Sequence, residues 1–194
     1  MKRTVAILLF DEIEVLDFAG PFEVFAVTNE LRDNEAFNVI TVAENPGTVR
    51  ARNGLLVEPH CTLADCPQPD ILVVPGGAGS RIAAERPAVV GWVKTCAGAA
   101  EIVFSVCTGT RILAAAGLLD GLRVTTHHQN LVELAAAVPT AIVDPSQRFH
   151  DTGHIVTSAG ISAGIDASLH LVGRLLGPDA IPVTARYMEY GDYA

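Results

Sequence analysis

Cys107 is the residue of this sequence whose type and surroundings point most directly to chemistry. It lies in EIVFSVCTGTRILAAAGLL, where a short apolar run ends at the cysteine and apolar residues at helical spacing follow. This pattern predicts a strand, a tight turn that exposes the thiol, and a helix. Gly109 allows close packing of such a turn, and the positive end of the helix is expected to lower the thiol pKa. We therefore predict a reactive nucleophile at Cys107 rather than an inert buried cysteine.

Gly77 belongs to a second candidate loop, Pro75-Gly76-Gly77, which follows another apolar run. When a thiolate attacks an unsaturated carbon, negative charge builds on the neighbouring atom, and backbone N–H groups aimed there stabilise it. We predict the N–H groups of Gly77 and Thr108 as these two donors. The segment PGGAGSRI lacks the Gly-Lys-Ser/Thr of a phosphate-binding loop, so we do not expect it to bind a nucleotide.

Asp17 and His127 are the candidate proton-transfer groups. Asp17, in EVLDFAGP, is either a helix N-cap or a cleft carboxyl with a raised pKa that shares a proton with the thiol. His127, in TTHH, either polarises the thiol or orients substrate, or is a solvated turn residue. The histidines and cysteines lack the spacing of a zinc site, so we expect no metal and no cofactor.

The composition narrows the classes of partner. The chain has 194 residues, 49% hydrophobic, which predicts one domain over residues 1–194. A net charge of -9, with 13 scattered Lys and Arg, disfavours nucleic acid. No apolar run is long enough to span a bilayer, and the N-terminus lacks a signal-peptide cleavage site. We expect a cytoplasmic protein that keeps its four cysteines as thiols and binds a small electrophile, neither nucleic acid nor membrane.

The elements that must position these residues alternate between short apolar runs and amphipathic stretches, which is typical of an α/β fold with a mostly parallel central sheet and helices on both faces. Asn53-Gly54 predicts a hairpin turn. The carboxyl ends of the strands converge on one crevice in such sheets, and all the candidates lie there. Strands are predicted at 4–10, 37–43, 70–77, 101–106, 123–127 and 154–159, and helices at 19–31, 87–99, 130–138, 164–177 and directly after Cys107.

Five motifs together resemble the DJ-1/PfpI superfamily, related to class I glutamine amidotransferase domains, over essentially the full chain. They are VAILLFDEIEVLDFAGPFEVF, VVPGG, SVCTG, AAAGLLDGLRVTTHH and TSAGISAGIDASLHLV. The resemblance is greatest to the isonitrile hydratase branch and to the ligand-type domains of AraC-type regulators, and it implies a flavodoxin-like three-layer sandwich and a homodimer. By motif, Cys107 matches the nucleophile, Asp17 the acidic residue contacting the thiol, Gly77 and Thr108 the oxyanion donors, and His127 the histidine after the T-T-H strand.

The same resemblance implies a cofactor-free, cysteine-dependent hydro-lyase. Cys107 would attack an isonitrile carbon, form a thioimidate, and release an N-substituted formamide after hydration. Peptidase activity is not expected, because Thr108 replaces the histidine that follows the cysteine in the protease-like branch. Two alternatives stay open: a glyoxalase or deglycase acting on 2-oxoaldehydes, and a non-catalytic ligand or redox sensor related to AraC-type regulators but without their DNA-binding domain.

Overall fold

The computed structural model describes residues 2–191 of the predicted domain. The helices are α1 (Val15–Glu30), α2 (Ser80–Ala83), α3 (Pro87–Ala97), α4 (Thr110–Ala115), α5 (Leu131–Ala137), α6 (Ala163–Leu176) and α7 (Ala180–Tyr187). The strands are β1 (Arg3–Leu9), β2 (Phe37–Ala43), β3 (Val49–Arg50), β4 (Leu56–Val57), β5 (Cys61–Thr62), β6 (Ile71–Val74), β7 (Ile102–Ser105), β8 (Arg123–Val124), β9 (Ile142–Val143), β10 (Phe149–Asp151) and β11 (Ile155–Ser158).

The main sheet has seven strands in the order β10-β11-β7-β6-β1-β2-β5. All neighbouring strands pair in parallel except β10, which runs antiparallel to β11 at one edge. Strands β3 and β4 form a separate antiparallel ribbon, and β8 and β9 form a separate parallel pair. The predicted mostly parallel central sheet is therefore confirmed.

Helices cover both faces of this sheet, because successive side chains of a buried strand point to opposite sides. In β6, Ile71 and Val73 join one apolar cluster, which includes residues of α1, α6 and α7. Leu72 and Val74 join the other cluster, which includes residues of α3, α4 and α5. The molecule is thus a three-layer α/β sandwich, as predicted.

The hairpin turn predicted at Asn53-Gly54 is present, but the strand predicted at 123–127 is shorter than expected. Asn53 (φ 61°) and Gly54 (φ 89°) form the left-handed turn between β3 and β4, as predicted. The strand expected at 123–127 is wrong, because only Arg123–Val124 pairs, and its partner is β9. Beyond it, the Thr125 N–H donates to the Thr157 hydroxyl, so the chain leaves the ladder.

Across residues 2–191 no helix is long and apolar enough to cross a membrane.

Candidate active site

Cys107 occupies a strained turn between a strand and a helix. Strand β7 ends two residues before it, and a 3-10 turn, Cys107–Gly109, leads directly into α4. Its φ of 56° is uncommon for a residue with a side chain and persists only when the surroundings hold it. Here the Cys107 N–H donates to Ala159 O at 3.1 Å, and Cys107 O accepts hydrogen bonds from the hydroxyls of Thr126 (2.8 Å) and Thr110 (3.2 Å). The predicted strand–turn–helix arrangement is confirmed.

Two glycines allow this turn to approach its neighbours. A Cβ added to Gly109 would lie 1.9 Å from Val74 O on β6, so only glycine fits there. A Cβ added to Gly76 would lie 2.5 Å from the Thr108 nitrogen and 2.9 Å from Asp17 Oδ2. The close packing predicted for Gly109 is confirmed, and Gly76 brings a second loop against the turn in the same way.

The Cys107 thiol is buried, with only 5% of the residue exposed. Burial, with a smaller contribution from the neighbouring Asp17 carboxyl, raises the pKa of Cys107 to about 12. The backbone N–H groups of Thr108 and Ile161 face Sγ and lower this pKa, but burial outweighs them. The predictions of an exposed thiol and a lowered pKa are therefore wrong, because both depend on packing around the turn.

Asp17 lies wholly buried in the first turn of α1. Its Oδ2 accepts the Gly76 N–H at 3.0 Å, whereas Oδ1 has no hydrogen-bond partner within residues 2–191. Burial raises the pKa of Asp17 to about 7, although the Gly76 N–H and the Cys107 thiol lower it. The predicted raised pKa is confirmed, and the N-cap alternative is wrong because Glu14 occupies that position.

Asp17 and Cys107 are close enough for each to shift the other's pKa, but no hydrogen bond of ordinary geometry joins them. The Cys107 pKa lies well above that of Asp17, so the resting pair carries at most one negative charge near neutral pH. That charge resides on the Asp17 carboxyl. The arrangement can therefore move the thiol proton to Asp17 as the sulfur forms a bond.

Gly77 and Thr108, whose N–H groups are the predicted oxyanion donors, lie next to each other beside the turn. Gly77 has a φ of 119°, and its N–H donates to the Thr108 hydroxyl at 3.0 Å. The hydroxyl of Ser80 lies 3.0 Å from the same Thr108 oxygen. The Gly77 N–H is therefore engaged in the resting structure, whereas the Thr108 N–H faces the Cys107 sulfur.

His127 lines the cleft next to the thiol. Its ring packs against the backbone of Gly160, where an added Cβ would lie 2.4 Å from the ring carbon Cδ2. Its Nδ1 accepts the Gln129 N–H at 3.4 Å, and burial, followed by the charge of His128, lowers its pKa. Neither histidine forms a hydrogen bond with Cys107 within residues 2–191, so the role predicted for His127 stays a prediction.

The cleft over the turn has a volume of about 320 Å³. It contains four of the five predicted site residues, and Asp17 is the exception because it lies fully buried behind the cleft wall. In the described part of the chain, no cluster of three or more His, Cys, Asp or Glu side chains could hold a metal ion. The lining residues are Glu14, Arg52, Gly77, Ala78, Cys107, Thr108, Arg111, His127, His128, Gln129, Asn130 and Ile161.

Sequence reasoning missed three residues of this site. Ile161 directs its N–H at the sulfur and has a φ of 51°, an outlier for a β-branched residue. Ser80 and Arg111 are linked to each other by a hydrogen bond and reach the turn through the Thr108 hydroxyl. Ile161 follows the last strand end, in TSAGIS, and this position is the signal that could have identified it. No pattern marked Ser80 or Arg111.

The fold and the turn define a class of α/β protein: a parallel sheet whose carboxyl edge holds a buried cysteine in a strained turn, beside a buried carboxyl. The DJ-1/PfpI family model matches residues 3–174, and the chain belongs to this family.

Two relatives and one solved structure show how the chain is placed within the family. It is 34% identical over 192 residues to the isonitrile hydratase of Pseudomonas putida, covering 98% of this chain and 79% of that enzyme. It is 29% identical over 172 residues to the HTH-type transcriptional regulator GbdR of Pseudomonas aeruginosa, covering 89% of this chain and 46% of the regulator. The crystal structure of a THiJ/PfpI family protein from Pseudomonas syringae superposes with a TM-score of 0.89 at 28% identity, covering 98% and 76% of the two chains. The family thus contains both an enzyme acting on a small molecule and a regulator.

Proposed function

We propose that this protein is a cysteine-dependent hydro-lyase that hydrates an isonitrile to an N-substituted formamide. The observation that carries the proposal is the pair formed by the Cys107 thiol and the buried Asp17 carboxyl, which has one oxygen without a partner in the described structure. The 34% identity to an isonitrile hydratase over 98% of the chain supports the choice of substrate.

In the first step, the Cys107 sulfur attacks the terminal carbon of the isonitrile. The thiol pKa of about 12 leaves almost no free thiolate at neutral pH, so the proton must leave as the S–C bond forms. The ionised Asp17 accepts this proton and returns it to the same carbon, which has gained the electron pair. The product is a thioimidate, Cys–S–CH=N–R, and no atom enters or leaves the site.

In the second step, water adds across the C=N bond of the thioimidate. Its oxygen bonds to the carbon, and one of its protons goes to the nitrogen. The hydroxyl oxygen then forms the C=O bond as the C–S bond breaks, the hydroxyl proton passes to the sulfur, and the N-substituted formamide leaves. The whole reaction consumes one isonitrile and one water and regenerates the thiol.

The N–H groups of Thr108 and Ile161 stabilise the negative charge on sulfur as the thiol proton leaves and again as the C–S bond breaks. They are suited to this task because both face Sγ and neither donates to another backbone group in the described structure. A buried site strengthens such hydrogen bonds, since little water competes for them. We also propose that His127, in the cleft wall, orients the substrate or the attacking water.

Purified, reduced protein incubated with aromatic and aliphatic isonitriles tests this proposal. We expect formamide to accumulate catalytically, and the Cys107→Ala variant to produce none. No formamide from wild-type protein, while a known hydratase produces it in parallel, would contradict the proposal. Lactate from methylglyoxal, lost in Cys107→Ala, would instead favour the glyoxalase alternative, and ligand binding or Cys107 oxidation without turnover would favour a sensor.

We further propose that the protein is a homodimer, as the family resemblance implies. Leu55 and Leu56, at the start of β4, are 48% and 57% exposed, and we place these two apolar side chains in the dimer contact. Light scattering coupled to size-exclusion chromatography is expected to give twice the chain mass, and Leu56→Glu is expected to lower it. A monomer at micromolar concentration would contradict this proposal.

A further inference from the structure

Arg111, in the first turn of α4, donates hydrogen bonds to three side chains. Its side chain is 15% exposed. Its Nε and Nη2 donate to the two carboxylate oxygens of Glu133 at 2.9 Å each, and Nη2 also donates to Asn130 Oδ1. The remaining arm, Nη1, donates to Ser80 Oγ at 3.0 Å. Two residues of the next helical segment thus fix the guanidinium so that one arm points at Ser80.

Ser80 connects Arg111 to the turn that carries the cysteine. It is completely buried, and its Oγ lies 2.8 Å from Gly77 O and 3.0 Å from the Thr108 hydroxyl oxygen. A serine hydroxyl has a single hydrogen to donate. Because Arg111 donates to Ser80, that hydrogen is directed away from Arg111, toward the Gly77 loop and Thr108.

We propose that Arg111 is a positioning residue that acts through Ser80 to fix Thr108 and the Gly77 loop around the Cys107 sulfur. The Thr108 N–H faces that sulfur, and the Thr108 hydroxyl accepts the Gly77 N–H at 3.0 Å. A displacement of Thr108 therefore misaligns a donor that stabilises charge on sulfur, and catalysis is sensitive to such displacements. The inference rests on the proposed function, since the position of Thr108 matters only if Cys107 attacks a substrate.

The geometry requires arginine and not simply a positive charge. Arg111 uses three nitrogens on three side chains at once, in a planar fork. A lysine offers one nitrogen on a flexible stem, so it cannot bridge Glu133 and Ser80 in the same way. We therefore expect lysine at this position to behave like an uncharged residue.

Kinetics of Arg111→Met and Arg111→Lys test the inference. We expect kcat for isonitrile hydration to fall about 10-fold in both variants, with KM changed less than about 2-fold, because the ground-state cleft persists. Arg81→Met is the matched control: the Arg81 side chain contacts the same Glu133 oxygen at 3.0 Å but donates no hydrogen bond to the Ser80 hydroxyl, so kcat is expected to be unchanged. Since Arg111 also lines the cleft, a rise in KM at constant kcat would mean direct substrate binding and overturn the inference.

Alkylation of Cys107 by iodoacetamide separates this inference from the proposed substrate. We expect Arg111→Met and Ser80→Ala to slow alkylation about equally, and the double variant to be no slower than either single one, because both act through one connection. Unchanged alkylation and unchanged kcat in folded Ser80→Ala would overturn the inference. Slowed alkylation in a protein that hydrates no isonitrile would refute the substrate and keep the positioning role. Should Arg111→Met fail to fold, the Ser80→Ala variant is tested alone, because this variant retains the ion pair between Arg111 and Glu133.

Discussion

Two buried cysteines of this chain share a raised pKa but differ in their backbone conformation and polar neighbours. Cys107 is 5% exposed and Cys96 is 4% exposed, and burial raises their pKa values to about 12 and about 11. Cys96 lies within the regular helix α3, and burial alone shifts its pKa. Cys107 lies at a φ of 56°, with two N–H groups facing its sulfur and the Asp17 carboxyl beside it.

The comparison shows that a raised pKa alone does not distinguish the two cysteines. Both cysteines are protonated near neutral pH, because an apolar environment disfavours charge on either sulfur. Only Cys107 has an acceptor for its proton and donors for the charge that forms when the proton leaves. The reactivity that we propose for Cys107 therefore rests on its polar neighbours and on the cleft above it.

Removal of each sulfur should give the largest contrast between the two sites. We expect Cys107→Ser to lower kcat/KM for isonitrile hydration by about 10⁴-fold or more, because the covalent step is lost. Cys96→Ala should retain activity within about 2-fold and lose about 1 kcal/mol of stability, the usual effect of a small core truncation. Steady-state assays and urea unfolding of both variants check this. Comparable activity losses would erase the distinction between the two cysteines.

Asp17, the proposed proton acceptor beside Cys107, should give the next largest effect. Asp17→Asn should lower kcat/KM by about 10²- to 10³-fold, the usual contribution of general acid–base catalysis. In wild-type protein, kcat/KM should rise with pH through about 7, because the ionised form of Asp17 accepts the proton. A pH profile from 5 to 9 measures both, and the variant should lose the rise near 7. An unchanged rise in Asp17→Asn would assign it to another group, such as His127.

A glycine two residues after each cysteine provides a matched pair for stability. A Cβ at Gly109 meets Val74 O at 1.9 Å, so Gly109→Ala should lose about 3 kcal/mol or fail to fold. At Gly98, which has a helical φ of -65°, the nearest atom is 3.4 Å away, and Gly98→Ala should gain about 0.5 kcal/mol. Chemical denaturation of the two variants measures the difference. Equal stabilities would show that the turn relaxes around an added Cβ.

The local structure around Cys107 was predictable from the sequence. The strand, turn and helix around Cys107 follow from a short apolar run, a glycine and helical spacing, and the convergence of strand ends placed Asp17 and His127 nearby. The thiol pKa was predicted in the wrong direction, because burial depends on packing between distant segments. Arg111 and Ser80 are ordinary residue types whose contacts span 31 positions of the chain, so no local pattern marks them. Thr125 and Thr126 were predicted to lie in a strand, but they hydrogen-bond to Thr157 and Cys107 and do not pair with a neighbouring strand.

Asp17 is also expected to make the stability of the folded chain depend on pH. Its folded pKa, about 7, exceeds its ordinary value of 3.8, so the folded state retains a proton that the unfolded state releases between these pH values. Stability should therefore fall as pH rises from about 4 to 7 and then level off. Asp17→Asn should gain about 2 kcal/mol at pH 8, below the limit of about 4 kcal/mol that the full pKa difference allows. Urea unfolding at pH 5 and 8 checks this, and a gain at pH 5 as large as at pH 8 would contradict it.

Covalent capture of substrate by one of the two buried cysteines tests the central claim most directly. Wild-type protein mixed with an isonitrile and quenched in acid within the first turnover is analysed as the intact chain by fragmenting mass spectrometry. Any backbone cleavage between residues 97 and 106 separates Cys96 from Cys107. We predict a mass increase equal to one isonitrile on the fragment carrying Cys107, and none on the fragment carrying Cys96. Formamide production without any adduct on Cys107, or an adduct on both cysteines, would contradict the assignment of Cys107 as the nucleophile.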